Sequence, residues 1–274
     1  MTSLERAAPH AASAEPVAPV RFVLDAWTVA SAELRKLAHD PTELATRAVQ
    51  PILWLVVFGQ VIAQARVIST GSLGYMDFLA PGVLAQSALF SAIFFGIAVI
   101  WERDLGVLHK YLVSPASREA LVAGKALAGG LRALVQALVV YVAAMLIGIH
   151  LRWEAPALVG VALVVVLGAS GFATFSLIVA CVVRTRERFM GIGQVLTMPL
   201  FFASSAIYPI AIMPAWLQAV AHLNPLTYQV DALRALMIDG GPSTYPIALD
   251  IGVLAVTVVV LVAIASRLYP RLAQ

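Results

Sequence analysis

The residues able to do chemistry in this chain are few and widely spaced. Five histidines, His10, His39, His109, His150 and His222, are scattered, and no two stand at a spacing that would put two imidazoles on one metal. The only Gly-Lys pair is Gly124-Lys125, and Glu119 stands five residues before Gly124, so no glycine-rich loop can wrap a phosphate. No G-x-S-x-G elbow and no clustered pair of carboxylates occurs inside an apolar run. Cys181 is the single cysteine and cannot close a disulfide within the chain. Catalysis, metal binding and nucleotide binding therefore have no residues to carry them, and the chain is not expected to be an enzyme or to hold a cofactor. What remains is a set of neutral polar side chains inside apolar segments. Gln60 and Gln64 stand one helical turn apart, and Gln86 is followed by Ser87 and Ser91. Gln194, Thr197, Met198, Phe201, Ser204 and Ser205 recur mostly at helical steps. Amides, hydroxyls, thioethers and aromatic rings in an apolar setting suit a large amphipathic or lipid-like molecule. The same side chains can also bond helix to helix.

The elements that position these residues must lie in lipid. Of 274 residues 61% are hydrophobic and 12% charged, with a mean hydropathy of +0.91. A soluble domain has about 45–50% apolar and about 25% charged residues. This excludes an ordinary soluble domain, and it excludes uniform disorder, which needs polar and charged sequence. Six runs are long and apolar enough to cross a bilayer. They lie at about Leu44–Ala65, Phe78–Ile100, Ala128–Ile149, Pro156–Val183, Phe189–Ile210 and Pro246–Leu268. None shows the short alternating pattern of a β-barrel strand. The expected fold is an all-α integral membrane protein, with residues 1–19 a disordered tail and 20–274 one six-span domain.

Charge sets the orientation. Of 18 Lys and Arg residues, the outer loops hold only Arg66, Arg152 and Arg234. Arg132 lies within span three and is expected to snorkel to the inner surface. The rest fall on one side, which the positive-inside rule makes cytoplasmic, with both termini there. The formal charge of +3 is thus a feature of inner loops and not a nucleic-acid surface. Trp101, Trp153 and Trp216 stand near segment ends, as an aromatic belt requires. Val23, Trp27, Ala30, Leu34 and Leu37 form an apolar stripe just before span one, which predicts an interfacial helix on the lipid of the inner leaflet. Between spans two and three, Trp101, Leu105, Leu108 and Leu112 share one face of a second helix that Pro115 ends. Glu102, Arg103, His109 and Lys110 spread over its remaining surface. Glu102 and Asp104 are read as solvated interfacial charge. The spacing leaves two readings of this helix open, a plain loop or a docking surface. No Asp or Glu lies mid-span, so proton-coupled transport lacks the carboxylate it normally uses. The chain reads as a conduit whose energy comes from elsewhere.

The segment Glu102–Leu127 resembles a loop of type-2 ABC exporter permeases. The matching positions are Glu102, Arg103, Gly106, Leu112, Ser114, Pro115, Arg118, Gly124 and Lys125. His109 departs from the pattern, which often has an acidic residue there. A second match, Tyr208–Leu236, resembles the family through Pro209, Pro214, Trp216, Asn224, Pro225, Leu226, Thr227, Tyr228 and Arg234. Daunorubicin-resistance-type drug exporter permeases are the most similar subgroup. The resemblance implies a permease subunit in the cytoplasmic (inner) cell membrane, without an ATPase of its own. ATP and Mg would bind two copies of a cytosolic ATPase subunit, and a second permease, identical or sibling, would complete the assembly. Glu102, Arg103, Gly106, Leu108, His109, Lys110 and Arg118 would form the coupling site to that ATPase. Pro214, Trp216, Asn224, Pro225 and Tyr228 would belong to a re-entrant outer segment between helices five and six. Gln60, Gln64, Gln86, Gln194, Thr197, Phe201 and Ser205 are the expected substrate pathway. The expected function is outward movement of a hydrophobic or amphipathic substrate, drug-like or lipid. Export of polysaccharide or lipid-linked glycan is the alternative within the family, and an ion-coupled carrier the alternative outside it.

Overall fold

A computed structural model describes residues 18–38, 41–71, 73–106, 117–183 and 185–269. The chain is nearly all helical. No strand forms among the described residues, and one isolated backbone bridge joins Leu151 to Ile238. Helix α1 spans Ala18–Ala38 and α2 spans Pro41–Leu53. A π-helical turn, Trp54–Gly59, carries the chain from α2 into α3, Gln60–Ala65. It follows Pro51, whose ring and missing N–H disturb the helical ladder. Then come α4 (Tyr75–Asp104), α5 (Arg118–Ile147), α6 (Ala155–Val182) and α7 (Arg186–Phe202). A short 3₁₀ turn precedes α8 (Ala215–Leu223), α9 (Pro225–Met237) and α10 (Ile247–Leu268).

Local sequence explains the ends. Ser117 accepts a hydrogen bond from Ala120 N at 3.1 Å and so caps α5. At the other end Gly148 takes φ +85°, and Ile149 N closes back on Ala144 O at 3.0 Å. Because Ser117 supplies the cap, α5 starts ten residues ahead of the expected span at Ala128. The expected tail, 1–19, lies outside the described residues as far as 17, and Ala18 already begins α1.

Helix α6 is central and packs against α4, α5, α9 and α10. Close approach of the helices depends on glycine, as Gly82 and Gly168 show. A Cβ on Gly82 would stand 2.1 Å from Ala206 O, and one on Gly168 would stand 2.3 Å from the Gln229 amide. Gly191 faces open space.

Among the described residues five helical stretches are long and apolar enough to span: Ala48–Ala65, α4, α5, α6 and α10. The fifth of the six expected spans, Phe189–Ile210, differs from expectation. Helix α7 has 17 residues and stops at Phe202. Pro199 removes one amide from its last turn. Ser204 then donates its hydroxyl to Phe201 O at 2.7 Å, which offers the backbone an alternative to the next helical turn. Even so, α7 and its following turn run the depth of the bundle. Arg186 meets Asp104 at one end of α4, and Ala206 lies on Gly82 near the other. Those two points on α4 are about 33 Å apart at 1.5 Å per residue.

Helix α1 lies on α5 through Ala26, Val29, Ala30 and Glu33, all buried. Its expected lipid-facing stripe points away from the protein at Val23 and Trp27, which are 62% and 53% exposed, whereas Ala30 is buried. Small residues win the protein-facing side because α5 presents Gly124, whose Cβ would come within 2.5 Å of Ala26 O.

Candidate functional site

A charge cluster is buried where α1, α4 and α5 meet. Lys125 is 1% exposed, and its Nζ lies 2.6 Å from Glu102 Oε2 and 3.4 Å from Glu33 Oε1. Arg132 donates to Glu33 Oε2 at 3.1 Å and to Glu33 O at 3.2 Å. The Phe95 ring lies beneath both cations, 5.8 Å from Lys125 and 5.5 Å from Arg132. Among the described residues two acids and two bases thus meet in a low-dielectric site, where unpaired charge would be costly. Two expectations are corrected here. Glu102 is not solvated interfacial charge, because Lys125 draws it inward. Arg132 does not snorkel, because Glu33 on α1 gives it an acid at its own depth.

Beside the cluster, Asp104 accepts from Arg103 at 2.8 Å and from Arg186 at 2.6 Å, which ties α4 to the start of α7. The Arg186 guanidinium stacks 3.8 Å from the Trp101 ring centroid. Gly106 takes φ +69° and donates to Arg103 O at 2.9 Å, so the chain leaves α4 by a tight turn that favours glycine. Of the expected coupling residues, Arg103 is half-buried, while Gly106 and Arg118 are exposed at the two roots of the segment that joins α4 to α5. Leu108, His109 and Lys110, like Leu112, Ser114 and Pro115, lie outside the described residues.

The expected pathway residues divide among several places. Gln194, Thr197 and Met198 line an open groove of about 320 Å³ between α4 and α7, opposite Phe90, Ile93 and Phe94. Thr197 is held by Gly193 O at 2.5 Å, while Gln194 is exposed in the groove. Gln86 is buried in α4, and its neighbour Ser87 opens on a smaller crevice with Gln50, Ser91 and Gln136. Phe201 is buried, edge-on to Trp54 at 5.6 Å. Ser205 is buried, and its carbonyl accepts from Arg234 at 2.8 Å. Gln60 and Gln64 are exposed on α3 and line neither the groove nor the crevice.

At the opposite end of the bundle, α8 and α9 form a hairpin about Asn224. Its Nδ2 donates to Leu200 O at 2.6 Å and Ala203 O at 2.8 Å, and its Oδ1 accepts from Leu226 N at 3.0 Å. Pro225 then opens α9 at the position where a missing N–H costs nothing. Tyr228 donates to His222 O at 2.7 Å, and its ring packs 5.1 Å from Tyr245. Burial, and then Tyr228, Asp231 and Asp250 nearby, hold the Tyr245 phenol above its ordinary range. Pro214 and Trp216 are exposed at the start of α8. Trp101 and Trp153 are exposed as well.

Sequence reading missed Glu33 and Lys125 as partners, and it missed Asp231, Arg234 and Asp250 as buried groups. Ionisable residues within or beside apolar runs were the available signal, since such residues almost always find a partner. Which partner depends on helix packing.

Comparison with known proteins completes the description. The family model described as ABC-2 type transporter matches residues 25–238. A putative transport permease, ycf38, of Cyanophora paradoxa is 29% identical over 217 residues, 78% of this chain and 74% of that protein. The daunorubicin resistance ABC transporter permease protein DrrB1 of Streptomyces coeruleorubidus is 26% identical, over 84% of this chain and 81% of its own. The inner membrane transport permease YadH of Escherichia coli K12 is 25% identical, over 80% and 84%.

Proposed function

The chain belongs to the ABC-2 type transporter family, and from that premise we propose that it exports its substrate with ATP hydrolysed on a separate protein. It is a multi-pass, helical transport permease. In the proposed assembly two cytosolic ATPase subunits bind ATP and Mg, and a second permease, identical or sibling, faces this one. The α1 end lies on the cytoplasmic side of the inner membrane. Helix α7 with its turn makes the sixth crossing, so both termini lie inside.

One observation carries the reading. The Glu102–Lys125 pair, 2.6 Å apart, draws the end of α4 and the start of α5 together. The described residues that flank 107–116, Arg103, Gly106 and Arg118 among them, are therefore held at one place. A segment rooted in that way can receive a push from a soluble partner and hand it to two spans. The groove between α4 and α7 supports an amphipathic cargo, drug-like or lipid, since it sets one exposed amide, Gln194, among phenylalanine and methionine side chains. The Streptomyces relative is named for resistance to such a drug.

The test is efflux of an amphipathic fluorescent dye from liposomes that hold the permease with or without the ABC ATPase that co-purifies from its native membrane. ATP-dependent efflux only in the paired vesicles is expected. Efflux by the permease alone, driven by a proton gradient and indifferent to ATP, would make it an ion-coupled carrier. Transport confined to lipid-linked glycan would shift the substrate to the other branch of the family.

A further inference from the structure

The groove between α4 and α7 and the crevice between α2, α4 and α5 share a wall, since Phe90 and Phe94 line both. We propose that the two form one cargo site. The apolar body of the molecule lies in the groove, and a neutral hydrogen-bond donor on it, a hydroxyl or an amide N–H, reaches into the crevice to Gln136 and Ser87. The proposal rests on the reading that the groove holds an amphipathic cargo. It adds which polar group that cargo carries and which residues select it.

The crevice is built of acceptors. Gln136 is 4% exposed, and its Oε1 has no hydrogen-bond donor among the described residues. A helix-to-helix bond would give that oxygen a partner, so simple packing does not account for it. Ser87 is buried and donates its hydroxyl to Val83 O at 2.7 Å, which leaves its oxygen lone pairs as acceptors. Gln50, exposed on α2, lines the crevice as well. None of the lining residues is charged. Arg132, one turn before Gln136 on α5, is already held by Glu33 at 3.1 Å. An ammonium would find no counter-charge among these side chains, so an uncharged donor is the group that fits. Size agrees. The crevice offers about 40 Å³. A water needs at least about 10–15 Å³, whereas a cavity known to take benzene has about 150 Å³. One hydroxyl or amide N–H can therefore enter and a ring cannot, and the ring has the groove's 320 Å³ beside it. Ser87 and Gln136 also stand well inside α4 and α5, at a depth where polar groups are costly and mark binding or transport paths.

The probes are 1-pyrenebutanol and its methyl ether, one aromatic body with and without an O–H donor. Binding is read in nanodiscs that hold the full permease, by energy transfer from tryptophan to pyrene, with partition into empty nanodiscs subtracted. The parent should bind the alcohol about tenfold more tightly than the ether, the worth of one neutral hydrogen bond. Gln136→Met keeps the shape and should erase that preference by weakening the alcohol alone; Gln136→Leu gives a second reading should the first variant not fold. Ser87→Ala should reduce the preference less. Met198→Ala, in the groove, should weaken both probes alike. In liposomes with the ATPase, ATP-driven efflux of the alcohol relative to the ether should fall with the binding preference. Equal affinities in the parent overturn the proposal, as does a preference that survives at Gln136→Met. Loss of both probes in equal measure at Gln136→Met would make that residue structural and overturn it too, as would binding of both that ignores Met198→Ala. Failure of the exporter reading would look different: the parent would still prefer the alcohol while ATP drove no efflux of either probe.

Discussion

At the α1 end of the bundle, Lys125 and Arg132 divide Glu33 between them and Lys125 also holds Glu102. At the hairpin end no ion pair within 4 Å forms among the described residues, although the charge of Asp231 reaches Arg234 one turn on. Asp231 is satisfied by its own loop, accepting from Ser243 Oγ, Thr244 N and Tyr245 N at 2.8–3.0 Å. Arg234 donates to Ser205 O and packs 3.9 Å over the Phe78 ring. Asp250 is 0% exposed, and neither carboxylate oxygen has a hydrogen-bond partner. The first cluster bridges elements far apart in sequence. The second mostly stitches a loop to the helices it connects. Ion pairs between elements transmit position, whereas backbone bonds to one carboxylate hold a local shape.

The contrast can be broken by substitution. The largest effect is expected for Lys125→Met, which leaves Glu33 without one partner and Glu102 without its close one. A loss of about 3–5 kcal/mol is typical when one member of a buried pair is removed, to be read as a lowered unfolding midpoint in detergent. Adding Glu33→Gln and Glu102→Gln should recover much of it; no recovery would mean that packing, and not charge, holds this end.

Asp231→Ala should come next, at about 2 kcal/mol for several bonds to a charged acceptor. Its signature is local: hydrogen exchange at Thr244 and Tyr245 should quicken while amides near Lys125 stay protected. Exchange spreading to the α1 end would show that the two regions are not independent. Asn224→Ala removes a helix cap and leaves two carbonyls without the amide, so about 1–2 kcal/mol is expected. It should loosen the junction of α7, α8 and α9, measured by proteolysis within 203–224.

The smallest effect sharpens the contrast most. Asp250→Asn replaces a buried, unpartnered carboxyl by a neutral isostere, so the midpoint should hold or rise, within about 0.5 kcal/mol. A loss as large as that of Lys125→Met would mean that Asp250 is held as firmly as the ionic cluster, and the two ends would no longer differ.

Composition and the period of the apolar residues were enough to make this chain a helical membrane protein, because lipid leaves the backbone few other ways to satisfy its polar groups. Gly106, Ser117, Asn224-Pro225 and Pro51 hold local signals of turns, caps and interruptions, since their effects act over one or two turns of chain, though the expected span at Ala128 passed over the Ser117 cap. The resemblance carried by Glu102–Leu127 and Tyr208–Leu236 pointed to the family. Sequence could not settle which face of α1 meets the protein. Val23 and Trp27 mark the stripe that turns away from the protein, but that Ala26 and Val29 lie on α5 follows only from the room that Gly124 leaves there. Nor could it settle the state of Glu102 and Arg132. A charge beside an apolar run can reach water or find a partner, and that choice depends on whether a helix 92 residues away from Lys125 brings Glu33 within 3.4 Å. Local propensity is written in neighbouring residues, but the pairing of buried charges exists only once α1, α4 and α5 have packed.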